Sequence, residues 1–482
     1  MALTDDERRL LGKLQIKVGR AERRNRLMEA YYEGEQRVEQ LGLAIPPELR
    51  RFLTIAAWPG TWADEIAART TLEGFELPDA TEADEQLWRI WQANGLDAES
   101  KLGQLDAIVR GSSFLVIGAG DADTPDAPSP EGGDDDRERS AEIPLISVES
   151  ADEMAVELSP RTRQPIAGAK FYTDDGTAKA TLYQPRATVW LERRNAQWVE
   201  VDRDEHDLGV VPVVPLVRGA RLSRRDGRSI FTRIIGLTDA AARALTNGQV
   251  ATEALAVPQR FAAGMKPEDF RDKDGNLLPT WEAYFGAVWA TQNPDAKFGS
   301  FSAADLANFD TIVSLYAKLV SGVSGLPMRY LGQATTNPPS AEGILADESR
   351  VIKQVEDFQT ALEAAYERAM KIAVRIRDGR WDPRMEQLET QWRSAATPTR
   401  AQAADYAVKL VQQKIIPREA AWVDLGYSAA RRKKLAALFA AEEARDPSRL
   451  IARELGRGRN GLTDADVDDQ ADADEAVPAG AG

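Results

Sequence analysis

Apolar residues in the stretch 339–379 fall in steps of four and three, at Val351, Val355, Phe358, Leu362, Ala365, Ala369, Ile372 and Ile376. A helix gathers that spacing on one side and a strand cannot. The flanks agree. Asn337 or Ser340 can cap the start beside Pro338 and Pro339, with Glu342, Asp347 and Glu348 in the first turns and Lys371, Arg375 and Arg377 in the last. These charges suit the helix dipole at both ends. At about 1.5 Å per residue the rod is roughly 60 Å long, and its seam needs a partner. On periodicity alone, that partner is another helix in a coiled coil or the body of a large helical domain.

Elsewhere the pattern changes several times. Residues 3–39 are strongly charged, with Leu10, Leu14, Val18 and Leu27 loosely spaced, which predicts an exposed helix packing as an arm. Short amphipathic helices are expected over 58–69 and 81–94, the second opened by Thr81 and closed by Gly95, and Asp97 is expected to cap another that runs to Arg110. Gly111 ends it ahead of an apolar strand over 114–117. Residues 118–142 have loop composition, rich in Pro, Gly and Asp, and read as a mobile insertion. Short β-rich runs follow at 143–148, 169–172, 179–183, 188–191, 198–201 and 210–217, separated by turn signals such as Asp175-Gly176, and predict an antiparallel meander. Helical spacing returns over 229–255 and 305–323, two helices that bracket a mixed excursion at 256–300 and can stand side by side. A strand is expected near 388–392, then helices over 400–413, 417–425 and 428–445. The fold class is therefore α+β.

Composition narrows the chemistry. With 482 residues and 43% hydrophobic content the chain can bury a large core. It has no cysteine and a single histidine, His206, set in a charged run that suggests an exposed loop. Thiolate metal sites, cysteine nucleophiles and histidine triads are thereby disfavoured. No phosphate-loop or dinucleotide fingerprint is present. The start carries no signal-peptide pattern and no apolar run is long enough to span a bilayer, so a soluble intracellular protein is expected. The net charge of −16 opposes a protein that grips nucleic acid over its whole surface, since that binding is driven by Lys and Arg. One basic cluster stands out, Arg218, Arg221, Arg224, Arg225 and Arg228, open to phosphate, to an acidic neighbour or simply to solvent. In the acidic tail, Asp464, Asp466, Asp468, Asp472 and Glu475 match calcium-loop offsets, but Asp469 stands where that loop needs glycine, and disorder is the plainer reading.

Four stretches carry a resemblance. They are 94–118, where a helix ends in glycine and feeds a strand; 227–247; Gly325-Leu326-Pro327 followed by Asn337-Pro338-Pro339-Ser340-Ala341-Glu342 and the long helix; and 404–428, with Lys409-Leu410 and Leu425-Gly426-Tyr427-Ser428. In order and texture the chain from about residue 31 to 445 resembles the portal proteins of tailed double-stranded DNA bacteriophages, in the branch typical of long-tailed phages. The resemblance implies a homo-oligomeric ring of about twelve subunits at one capsid vertex, with DNA passing through without sequence specificity. It implies a wing (1–228, with the insertion 118–142), stem helices (229–255 and 301–323), a clip (256–300), a connection and tunnel loop (324–339), the long helix (340–379), a return to the wing (380–399), a helical crown (400–460) and an acidic tail (461–482). The implied tunnel-loop residues at the DNA channel are Gln333, Thr335, Thr336 and Asn337. Implied partners are the terminase large subunit, the head–tail adaptor, and the major capsid and scaffold proteins, with no cofactor, no membrane and no catalytic centre. The implied location is the virion, with assembly in the host cytoplasm. Two alternatives stay open: another assembly factor, such as an adaptor or scaffold, and a metal-dependent hydrolase built on paired carboxylates, of which 77 Asp and Glu offer many by chance.

Overall fold

The computed structural model describes residues 3–36, 54–78, 85–120, 143–255, 260–263, 297–300, 307–333, 340–396, 400–427 and 429–444. The chain divides into two compact units, Met1–Ala396 and Thr397–Gly482. The first begins with α1 (Asp5–Glu33), closed at its start by a capping box between Thr4 and Glu7. The Glu7 carboxylate also accepts from Arg203 at 2.9 Å, so one side chain both caps the helix and ties it to a strand. This helix is not the exposed arm that its loose apolar spacing predicts. Leu3, Leu11 and Leu14 are buried, and they meet a sheet face built from Ala155, Ala167, Ala169 and Ala180. Small residues on the sheet let a narrow apolar stripe seat closely, and a stripe that narrow has little signature in sequence.

Next come α2 (Trp58–Arg69), β1 (Leu72–Glu76), α3 (Glu85–Ala93) and α4 (Leu96–Arg110). The start of α4 differs from expectation. Gly95, at φ 62, is the capping residue and makes no side-chain cap, while Asp97 sits in the first turn and accepts from the Trp91 indole N–H at 3.2 Å.

Eight strands follow: β2 (Ser112–Gly118), β3 (Leu145–Ser150), β4 (Met154–Leu158), β5 (Pro165–Asp174), β6 (Thr177–Tyr183), β7 (Ala187–Arg194), β8 (Gln197–Glu205) and β9 (Val213–Val217). The antiparallel meander is β4-β5-β6-β7-β8; it takes in the four expected runs from 169–172 to 198–201 and adds β4, whereas the runs 143–148 and 210–217, also expected in it, belong to a second sheet. Separately, β2 lies between β3 and β9, antiparallel to both. Its Phe114 and Val116 pack with Met154, Val156, Val211 and Val213, which joins the two sheets.

The helix expected over 229–255 is split. Ser229 accepts from the Phe231 N–H and opens a 3-10 turn, Ile230–Arg233, and α5 (Ile235–Leu255) follows. Beyond it, β10 (Arg260–Ala263) pairs antiparallel with β11 (Lys297–Ser300); the rest of 256–300 lies outside the described residues. Next is α6 (Ala307–Ser324), which packs beside α5 as expected. Contact is close at Gly248, where an added Cβ would come 3.2 Å from the Phe309 ring.

A 3-10 turn (Met328–Leu331) precedes the long helix α7 (Ala341–Asp378), and a second (Pro383–Gln387) precedes β12 (Glu389–Trp392). This last strand pairs antiparallel with β1, Phe75 opposite Thr390, so the chain returns to its N-terminal portion as the sequence predicts. The second unit holds α8 (Arg400–Gln412), α9 (Arg418–Asp424) and α10 (Ala429–Ala444). Trp422 stacks on Phe439 at 5.5 Å and Arg418 lies over the same ring at 4.7 Å. Most of the insertion (121–142) and all of the acidic tail fall outside the described residues.

Candidate functional site

The long helix organises the first unit. Ser340 caps it, accepting from the Gly343 N–H at 3.1 Å, and Gly379 ends it at φ 67. Val351, Val355, Phe358, Leu362, Ala365, Ala369 and Ile372 are buried, and Ile376 packs partly buried against the same core. The partner of this seam is the chain itself, through α2, β2, β9 and β12, and no coiled coil is needed. The buried face is wider than the seam, because Tyr366, Met370, Ala373 and Val374 are also enclosed. Tyr366 is the pivot: its ring meets Trp91 edge-on at 5.2 Å and stacks on Trp392 at 5.8 Å, while its hydroxyl accepts from Gln104 at 2.9 Å. Burial pushes that phenol well above the usual tyrosine range.

At the first turns of α7 lies a buried ion network. Glu348 is 5% exposed and Arg69, from α2, is 7% exposed; they meet at 3.0 Å, and Arg69 also holds Glu65 at 2.5 Å. The Tyr330 hydroxyl donates to Glu348 at 2.8 Å. Arg329 reaches both Glu348 and Asp347, the latter at 3.1 Å. Burial alone would raise the Glu348 carboxyl, but hydrogen bonds from Arg69 and Tyr330 and the two guanidiniums hold it below the usual carboxylate range. The network therefore fixes the turn Met328–Leu331 to α7 on the two sides of residues 334–339. Of the expected tunnel-loop residues, Thr335, Thr336 and Asn337 lie outside the described residues. Gln333 is half-buried and its side-chain carbonyl accepts from Ser314 of α6 at 2.9 Å.

The arginine cluster is brought together only in part. Arg218 directly follows β9, and its N–H donates to Gly111 while its carbonyl accepts from Arg228, so the loop leaves the sheet and is drawn back to it. Gly111 and Gly227, at φ 103 and 74, permit that crossing: a Cβ on Gly227 would stand 2.0 Å from the Gly111 carbonyl oxygen. Arg218, Arg221, Arg224 and Arg228 then line a cavity of about 400 Å³. Arg233, Arg350 and Lys353 complete it from the 3-10 turn and α7, and among the described residues no Asp or Glu lines it. Arg218 lies 5.3 Å over the Phe358 ring. Burial first, then the charge of Arg233, push its guanidinium down to about 10. Arg225 is separated from the others and lines a different cavity with Lys17 and Arg20 of α1.

His206 is half-buried beside Thr188 and not a fully exposed loop residue, and burial lowers its pKa. Among the described residues no acidic or histidine cluster is suited to a metal ion, and no helix is long and apolar enough to cross a membrane.

A family model described as phage portal protein, SPP1 Gp6-like, matches residues 17–443. The portal protein of Mycobacterium phage D29 is 41% identical over 413 residues, covering 84% of this chain and 83% of its own length. That of Mycobacterium phage L5 is 40% identical with the same coverage. Among solved structures, the neck of an empty gene transfer agent particle, computed with C6 symmetry, aligns with 80% of this chain and 94% of its own at 15% identity and TM-score 0.44. A chain from the virion of a native gene transfer agent particle aligns at 14% identity and TM-score 0.40, over 79% of this chain and 89% of its own.

Proposed function

Because the chain belongs to the SPP1 Gp6-like family of phage portal proteins, we propose that its copies close into a ring of about twelve at one capsid vertex, around a passage for double-stranded DNA. Portal proteins are structural components of the virion, and this one is assigned no catalytic step. Residues 1–228 and 380–399 would form the wing, 229–255 and 301–323 the stem, and 400–460 the crown. The excursion 256–300 would meet the terminase large subunit and later the head–tail adaptor. Thr335, Thr336 and Asn337 would touch the DNA backbone in passing, since short polar side chains there have no means of reading sequence. A net charge of −16 per copy would surround the duplex with like charge and discourage sticking while it moves.

The observation that carries the ring is an apolar stripe on α6. Ile312, Leu315, Leu319 and Val323 are 40%, 53%, 45% and 39% exposed and recur at helical spacing on one side of the helix. Its other face already packs on α5. A row of four half-exposed aliphatic side chains is costly in water and needs a cover, and in a closed ring a neighbouring copy supplies it. The double variant Leu315→Asp, Leu319→Asp tests this. It is expected to keep the circular dichroism spectrum and melting temperature of the single chain and to lose ring formation in light-scattering mass measurements. Rings of unchanged size would remove α6 from the subunit seam.

A further inference from the structure

The basic cavity under the 218–228 loop is not explained by folding. Six arginines and Lys353 line it with no carboxylate among the described residues, in a chain that carries an excess of 16 acidic charges. The Nε groups of Arg218 and Arg224 have no hydrogen-bond partner among the described residues. Asp357, the one acid among the described residues that acts on Arg218, is 68% exposed and is itself held by Lys353 at 3.3 Å. Like charges gathered around a common space are mutually destabilising, and a buried Nε–H without a partner loses a hydrogen bond that water supplied. Yet the backbone fixes them there. The crossing at Gly111 and Gly227 and the ladder bonds of Arg218 set where the loop's side chains begin, so the cations are assembled before any ligand arrives.

We propose that this cavity is a binding site for phosphoryl groups, supplied by a nucleic-acid backbone or by a small polyphosphate. Planar guanidinium forks match phosphate oxygens two at a time. A linked run of phosphates also brings several charges to several arginines, which a single carboxylate does not. The site includes three residues outside the local arginine run, Arg233, Arg350 and Lys353, and excludes Arg225. All of it lies within one unit of one chain, so it stands whether or not the ring does.

The test uses the full chain and tripolyphosphate as probe, with chloride at matched ionic strength as reference. Tripolyphosphate is expected to raise the melting temperature in a saturable way, as a ligand of the folded state must. The variant Arg221→Gln, Arg350→Gln is expected to weaken binding at least about tenfold, a loss of roughly 1.4 kcal/mol, while Arg20→Gln, on the other cavity, leaves it unchanged. A short DNA duplex followed by fluorescence anisotropy separates the sources. If the duplex competes with tripolyphosphate, and the double variant lowers its salt slope by about two, the phosphates are those of nucleic acid. If tripolyphosphate binds and the duplex does not compete, the ligand is a small polyphosphate. The proposal is overturned if tripolyphosphate acts no differently from chloride, if Arg221→Gln, Arg350→Gln binds it as well as the parent, or if a glutamate-rich peptide displaces it at equal charge concentration.

Discussion

Replacing Arg69 with methionine is expected to cost the first unit about 3 kcal/mol, because it strips a buried carboxylate of its most buried cation without removing the carboxylate. Glu348 is 5% exposed, and it would keep Arg329 and Tyr330 as partners, which places the loss at the lower end for a broken buried pair. The double variant Arg69→Met, Glu348→Met should recover part of the loss, since it removes the orphaned charge too; additive losses would show that the two residues do not act as a pair. The acid limb of stability reports on the same group. Its folded pKa is depressed below the ordinary 4.5, so its contribution is fully present above that value and is lost as pH falls through the lower folded value. Glu348→Gln should therefore flatten the acid limb of a melting-temperature profile below about pH 4.5, while the parent remains steep. A parent profile that matches Glu348→Gln would contradict the network's role.

Gly227→Val is expected to be nearly as damaging, on the order of 3 kcal/mol, for two reasons that add. Its φ of +74 is strained for a β-branched residue, and the new Cβ would stand 2.0 Å from the Gly111 oxygen and 2.7 Å from that of Arg218. Both obstacles are backbone and cannot swing aside. The loop must move, so the arginines it aims should lose phosphate binding along with stability. Gly12→Ala in α1 is the matched control: nothing lies within 4 Å of its added Cβ, and a helix-interior alanine should raise stability by about 0.5–1 kcal/mol. Melts of the two variants side by side decide the matter. A neutral Gly227→Val would mean that the loop is not clamped as described.

The long helix, both of its end signals, the meander and the α5–α6 pair were legible because each is written in local periodicity or a local cap. The strands β1 and β4 were not. The first is Leu72–Glu76, with a glycine and two glutamates, and it is a strand because β12 pairs with it from more than 300 residues away. The second, Met154–Leu158, is only five residues long and includes a glutamate. The Arg69–Glu348 contact spans 279 positions and has no signature at either end. The arginine run was visible, but its contiguity misled in one place. Arg221 and Arg224 pair across a tight turn and Arg225 lies in the next turn, and neighbours in sequence serve different cavities, while Arg350 and Lys353 arrive from α7 across the fold. Tyr366, Met370 and Val374 were missed for another reason. A helix enclosed on more than one side outgrows the single stripe by which an amphipathic helix is read.

The account stands or falls on copies of this chain meeting along α6 around an opening. End-on electron micrographs of the assembled protein test that most directly. They are expected to show closed rings with a central hole, and α6 of each copy at the boundary with the next. Single chains that persist at high concentration under crowded, near-physiological conditions, or an assembly in which Leu315 and Leu319 still face solvent, would contradict it.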